Sequence, residues 1–169
     1  MNIAEVDLDH AFAEAIESSL DFRHWLLSHG RFARHAAEAM LLRHEQAEAR
    51  KKATHWWKHW WCRLADGSES ETDIFLVFEA AGDRFAMHIE NKPPHGTLPL
   101  RQAADYRRRA AWKTNDAAWL AYSDFETILL APAAFLSRNA ECASQFDRAI
   151  SYEDVARFAP LFAQALAMK

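Results

Sequence analysis

The stretch from Ser70 to Lys92, S-E-T-D-I-F-L-V-F-E-A-A-G-D-R-F-A-M-H-I-E-N-K, constrains the fold more than any other part of the chain. Two apolar runs, Ile74 to Phe78 and Phe85 to Ile89, are short and rich in β-branched and aromatic residues, a composition of strands rather than helices. Ala-Ala-Gly-Asp-Arg between them predicts a β-hairpin with a five-residue loop. Antiparallel pairing sets the start of the first strand beside the end of the second, which brings Asp73 close to Glu90. Side chains alternate along a strand, so Glu90 and Lys92 share one face while Ile89 and Asn91 point to the other. Two carboxylates and an amine thus converge at one end of a hairpin, a donor set for a metal with a positive group beside it. The competing reading is a solvated strand end, where acids and lysines are common.

At 169 residues the chain is read as a single domain over 1–169, long enough to bury about 70% of its unfolded surface. Half of the residues are hydrophobic and only four are glycine, which suits a helix-rich fold. No apolar run approaches the ~20 residues of a membrane span, and no signal-peptide pattern opens the sequence, so a cytoplasmic protein away from the membrane is expected. Cys62 and Cys142 are isolated thiols without metal-ligand spacing, in keeping with a reducing compartment. The net charge of −4 exerts no global pull on nucleic acid, so binding to a polyanion requires a local patch.

Residues 1–53 read as a helical N-terminal segment. Asp7 or Asp9 is suited to cap a first helix carrying Phe12, Ile16, Leu20 and Leu27, ended by Gly30. A second helix is expected from about Arg31 to Lys52, with Phe32, Ala36 and Met40 on one stripe and Glu45 and Glu48 sharing a face near its end. Those two acids are either solvated charge beside neighbouring basic residues or part of a site. Next come Trp56, Trp57, Trp60 and Trp61, which read as a bulky strand, with a base-stacking platform as the alternative. Asp66-Gly67-Ser68 is a turn into the hairpin, giving three strands in one sheet. After Pro93-Pro94-His95-Gly96, a helix from Arg101 to Trp112 places Gln102 and Tyr106 on one face. Arg101, Arg107, Arg108, Arg109 and Lys113 make this the clearly basic stretch of an acidic chain. Phe125 to Ala131 reads as a further strand, Phe135 to Arg148 is ambiguous, and Ser151 caps a last amphipathic helix.

In this order the elements resemble the PD-(D/E)xK nuclease superfamily. Asp73 in E-T-D-I, then Glu90 and Lys92 in I-E-N-K, match its acid and its acid-x-Lys triplet. Gln102 and Tyr106 match the Q-x-x-x-Y helix signature of its exonuclease-like branch. Thr72 stands where the family name has proline. The resemblance implies an α/β restriction-endonuclease-like core over about residues 31–131. That core is a mixed β-sheet flanked by helices in the order α-β-β-β-α-β, with extra N- and C-terminal helices. It also implies that Glu45, with Glu48 as second choice, supplies the acid often contributed by the first core helix.

The resemblance implies metal-dependent hydrolysis of phosphodiester bonds in DNA, at ends, flaps or single strands, with repair or phage defence as settings. Asp73, Glu90, the main-chain carbonyl of Asn91 and Glu45 are the expected ligands of Mg²⁺ or Mn²⁺. Lys92 orients or deprotonates the attacking water or stabilises charge on the phosphate. Gln102 joins the catalytic set, and Tyr106, Arg101, Arg107, Arg108, Arg109 and Lys113 are expected to contact nucleic acid. His88, on the face of Glu90, either supports the site or simply packs. The alternatives are a nuclease-like module that binds nucleic acid or protein without cutting, and an RNA-directed enzyme of the same fold. A homodimer or a partner protein is compatible with either.

Overall fold

The computed structural model describes residues 3–168. It opens with α1 (Glu5–Ser18), which buries Leu8, Phe12, Ala15 and Ile16 at the three-to-four-residue steps of an amphipathic helix. Ser19 then adopts extended backbone, and its hydroxyl accepts a hydrogen bond from the Phe22 amide, capping α2 (Leu20–Ser28). The single helix expected up to Gly30 is therefore two. Asp7 serves the start of α1 by accepting from the Ala4 amide at 3.0 Å, while Asp9 lies inside the helix.

The continuous helix expected from Arg31 to Lys52 does not form. Its place is taken by a 3₁₀ turn (Ala33–His35), a short strand β1 (Met40–Leu41) and α3 (Arg43–Ala49). The cause is tertiary. Met40 and Leu41 pair antiparallel with Glu79 and Phe78. The buried Gln46 amide continues that edge, donating to the Phe75 carbonyl at 2.9 Å and accepting from the Val77 amide at 2.8 Å. Sheet-edge groups that one continuous helix from Arg31 would leave unpaired are thereby satisfied.

The tryptophan block is a strand only in its second half. β2 (Trp60–Arg63) pairs with β3 (Glu69–Thr72) in a separate two-stranded ribbon, not in the main sheet as expected. Trp56 and Trp57 precede it and are buried against the helical layer. Asp66-Gly67-Ser68 makes the ribbon's turn, with the Ser68 amide donating to Asp66 at 3.0 Å.

The central hairpin is β4 (Ile74–Ala80) and β5 (Asp83–Asn91), paired from Ile74↔Ile89 to Ala80↔Asp83. Its link is shorter than the expected five residues, being Ala81 and Gly82 at φ 52° and 83°, the left-handed pair of a two-residue hairpin turn. A crossover through α4 (Gln102–Trp112) leads to β6 (Asp124–Ala131), parallel to β5. Then α5 (Ala133–Arg138) and α6 (Ala140–Ala143) lead to β7 (Arg148–Ser151), parallel to β6. Ser151 accepts from the Asp154 amide as expected, but it caps the short α7 (Tyr152–Val155), with α8 (Leu161–Ala167) following separately.

The result is an α/β fold with a five-stranded mixed sheet in the order β1-β4-β5-β6-β7. One face carries Leu76, Phe78, Met87, Ile89, Ile128 and Leu130 against residues of α1, α2, α7 and α8. The other carries Phe75, Val77 and Ala86 against Trp60, Trp119 and Tyr122. None of the described helices is long and apolar enough to cross a membrane. The hairpin end far from Ala81–Gly82 lies where β5 runs into Pro93-Pro94, and there the charged residues collect.

Candidate active site

The pairing of Ile74 with Ile89 sets Asp73 opposite Glu90. Asp73 is fixed at both ends. Its Oδ2 accepts from the Asn91 amide at 2.9 Å, and its own amide donates to the Tyr106 hydroxyl at 3.2 Å. That hydroxyl donates in turn to the Ile89 carbonyl at 3.4 Å. Glu90 is only 2% exposed. Its Oε1 accepts from Gln102 Nε2 and is ion-paired with Lys92 Nζ. One turn of α4 thus grips both strands, Gln102 on the second acid and Tyr106 on the backbone of the first.

Confinement beside Glu90 shows in the proton affinity of Asp73. Burial, and then the Glu90 charge, push the Asp73 carboxyl up to about 9, against a downward pull from the Asn91 amide. For Lys92, burial pulls the amine down, yet Glu90, Asp73 and Glu5 together raise it above its usual range. Lys92 is therefore a charged donor in this arrangement, suited to orienting a water or stabilising negative charge rather than removing a proton.

Two further acids come from α1. The buried Asp9 accepts from Asn91 Nδ2 at 2.7 Å, and Tyr152 donates to Asn91 Oδ1 at 2.6 Å. Burial pushes Asp9 up to about 7, opposed by that hydrogen bond. Glu5, one turn earlier and half-buried, is raised by burial and by Glu90, while Lys92 and Lys58 pull it down. Sequence reasoning missed both. The available signal was Glu5-x-x-x-Asp9, an i,i+4 acid pair at the start of an amphipathic helix. With the Asn91 side chain committed to Asp9 and Tyr152, any metal contact from Asn91 belongs to its main-chain carbonyl.

Several expected site residues lie elsewhere. Glu45 pairs with Arg84 at 3.0 Å, and Arg84 holds Glu79 at 2.8 Å beside the hairpin turn, at the opposite end of the strands. Glu48 pairs with Lys51 at 3.0 Å on the surface. Neither is the site's helix acid. His88 is a packing residue: fully buried, it bonds Thr72 at 3.0 Å and Tyr122 at 3.2 Å, and burial holds it well below its usual range. Tyr106 is buried and positions Asp73.

Most charges of the basic helix are paired within the fold. Arg109 is wholly buried, donating to Thr72 at 2.8 Å and to Ser70, with its guanidinium over the Tyr106 ring. Arg107 pairs with Asp147, Arg108 with Asp66 at 2.8 Å, and Lys113 with Asp116 at 2.9 Å. Arg101, exposed at the start of the helix, forms no ion pair among the described residues.

Among the described residues, no three His, Cys, Asp or Glu side chains make a ready-formed metal cage. The chemistry of the donor set nevertheless fits Mg²⁺ or Mn²⁺. Such ions keep several waters and take one or two carboxylates, and Asp73 beside Glu90 supplies two hard oxygen donors. Burial and then the Glu90 charge make Asp73 retain a proton, and a divalent cation relieves the second of these. Compared with known proteins, the chain matches no family model, no curated protein and no solved structure. What the site does must therefore be read from its own side chains.

Proposed function

We propose that the chain is a metal-dependent nuclease that hydrolyses phosphodiester bonds in DNA, with a PD-(D/E)xK-type core. The observation that carries this reading is the pairing of Asp73 and Glu90 across the open end of the hairpin, with Lys92 and Gln102 both held on Glu90. The element order supports it: α1, β1, β4, β5, α4, β6 run helix, three strands, helix, strand, with α2, α3 and the ribbon β2–β3 interposed. In this reading the core starts at α1 rather than near Arg31, and the helix acid is Glu5, with Asp9 behind it.

Asp73, Glu90 and the Asn91 carbonyl would hold Mg²⁺ or Mn²⁺. When bound, that ion supplies neutralisation of the phosphate charge and a water of lowered pKa. Lys92 carries a positive charge beside the reacting phosphate and orients the attacking water. Gln102 fixes the Glu90 carboxylate, and its Oε1, buried and without a hydrogen-bond partner among the described residues, would accept from that water. Tyr106 fixes the backbone at Asp73, and Asp9 fixes Asn91 from the other side of the sheet.

A second reading is a nuclease-like module that binds nucleic acid or protein without cutting. It is favoured by one observation: Glu90 is already satisfied by Lys92 and Gln102 without a cation. Incubation with labelled single-stranded, duplex, flapped and RNA substrates, with Mg²⁺ or Mn²⁺ and with chelator, tests the two. Cation-dependent cleavage lost in Asp73→Asn and Glu90→Gln supports the nuclease. Binding without cleavage under every condition supports the module.

A further inference from the structure

Outside the carboxylate cluster, the ribbon carries a feature the catalytic reading leaves unused. Trp61 points away from the core and is 53% exposed, whereas its neighbour Trp60 is fully buried. The register places Trp61 opposite Glu71, so both stand on the ribbon's outer face. Beside them a cleft of about 470 Å³ is lined by His59, Trp61, Glu69, Ser70 and Glu71. A second cleft of about 290 Å³ shares Glu69, Ser70 and Glu71 and adds Arg101, Asp105, Gln102 and Tyr106. The two clefts therefore follow β3 from Trp61 to Gln102, the residue that grips Glu90.

We infer that this groove along β3 binds an unpaired DNA strand and leads it to the Asp73–Glu90 end of the hairpin. The inference rests on the nuclease reading for its direction but not for the binding itself. An exposed indole offers a flat face on which a base stacks whatever its sequence. Arg101, at the far end of the groove and without an ion pair among the described residues, is placed to take a backbone phosphate. Glu69, Glu71 and Asp105 line the same walls. Glu69 pairs with Arg63 at 3.1 Å, Glu71 with His59 at 3.4 Å and Asp105 with Arg108 at 3.6 Å, so the walls offer little to a duplex, which presents two rows of phosphates and hides its bases. An unpaired strand turns its bases inward instead, and carboxylates accept hydrogen bonds from base amino groups. The strand is thus held by stacking and base edges, with few phosphates engaged.

The test is fluorescence anisotropy of a short labelled mixed-sequence DNA strand and of its duplex, with wild-type protein in chelator so that no cleavage occurs. The single strand should bind more tightly than the duplex. Trp61→Ala should weaken it by roughly 5- to 150-fold, the range of one stacked base, and Trp61→Phe should restore most of the loss. Arg101→Ala should reduce the salt slope of log K by about 0.7, the share of one phosphate on a single strand. Both side chains are exposed, so an unchanged melting temperature verifies that each variant folds. Tighter binding of duplex, or affinity indifferent to Trp61→Ala and Arg101→Ala, overturns the groove. Cation-dependent cleavage that survives such a result leaves the nuclease standing without the groove. Trp61-dependent binding without cleavage leaves the groove standing without the nuclease.

Discussion

Asp73 Oδ2 accepts a hydrogen bond from the main-chain amide of Asn91 at 2.9 Å, so the acid at the head of one strand is fastened to the residue after the acid that ends the next. This bond holds Asp73 against Glu90 despite their like charge, and burial makes the proximity costly. In the folded chain Asp73 keeps its proton up to about pH 9, while an unfolded aspartate loses it near 3.8. The folded state binds more protons across that window, so stability falls as pH rises through it. Asp73→Asn preserves the acceptor for the Asn91 amide and removes the titration. Urea unfolding of the metal-free proteins should show a variant that gains on wild type from pH 4 towards pH 9.

Asp9 obeys the same sign over a narrower window. Its carboxyl is raised from 3.8 to about 7, chiefly by burial. Asp9→Asn keeps an oxygen for Asn91 Nδ2 and should match wild type below pH 4. Above pH 7 it should exceed wild type by at most about 4 kcal/mol, the limit set by that shift. A difference between variant and wild type that does not change with pH would mean that the Asp9 carboxyl titrates alike in the folded and the unfolded chain.

The helix acid separates two positions that the sequence alone confuses. Glu5→Gln should lower cation-dependent cleavage by about 10- to 100-fold, as removal of a group tuning a metal site does. Glu45→Gln should leave cleavage unchanged and alter stability by no more than about 0.5 kcal/mol, since its pairing with Arg84 is largely solvated. Initial rates for both variants decide between them.

Much of this was legible because it is local. The hairpin follows from apolar runs of strand composition, and four-residue spacing puts Gln102 and Tyr106 on the side of α4 that meets Glu90 and Asp73. Glu5 and Asp9 were hidden because their partners are distant: Asp9 meets Asn91 across 82 positions of sequence. The error over Glu45 has the same origin. Alanine-rich sequence around it favours helix, but Gln46 and the strand Met40–Leu41 are recruited to the edge of β4, carrying Glu45 to the hairpin's turn. The pairing of the basic run of α4 was not legible, because charge in sequence says nothing of partners. Asp66 and Asp147 arrive from other elements to neutralise Arg108 and Arg107.

Arg109 and Arg107 should accordingly behave as structural residues. Arg109→Met removes the buried hydrogen bonds to Thr72 and Ser70. It should cost about 1.5–3 kcal/mol for each charged hydrogen bond lost and loosen the backbone just before Asp73. Arg107→Ala should cost little stability and leave the salt dependence of DNA binding unchanged, because its charge already belongs to Asp147. Denaturant midpoints and binding isotherms at several salt concentrations read both.

The claim that Asp73 and Glu90 form a cation site served by Lys92 is tested most directly by titration calorimetry of Mn²⁺ into wild type, Asp73→Asn and Lys92→Ala in the presence of DNA, with cleavage followed on the same samples. Wild type should bind and cut, and Asp73→Asn should lose both. Lys92→Ala should still bind Mn²⁺ while cutting about 10²–10³-fold more slowly, the cost of removing one donor that stabilises developing negative charge. Wild-type protein that takes up no divalent ion in the presence of DNA, or an Asp73→Asn variant that binds and cuts as wild type does, would contradict the account.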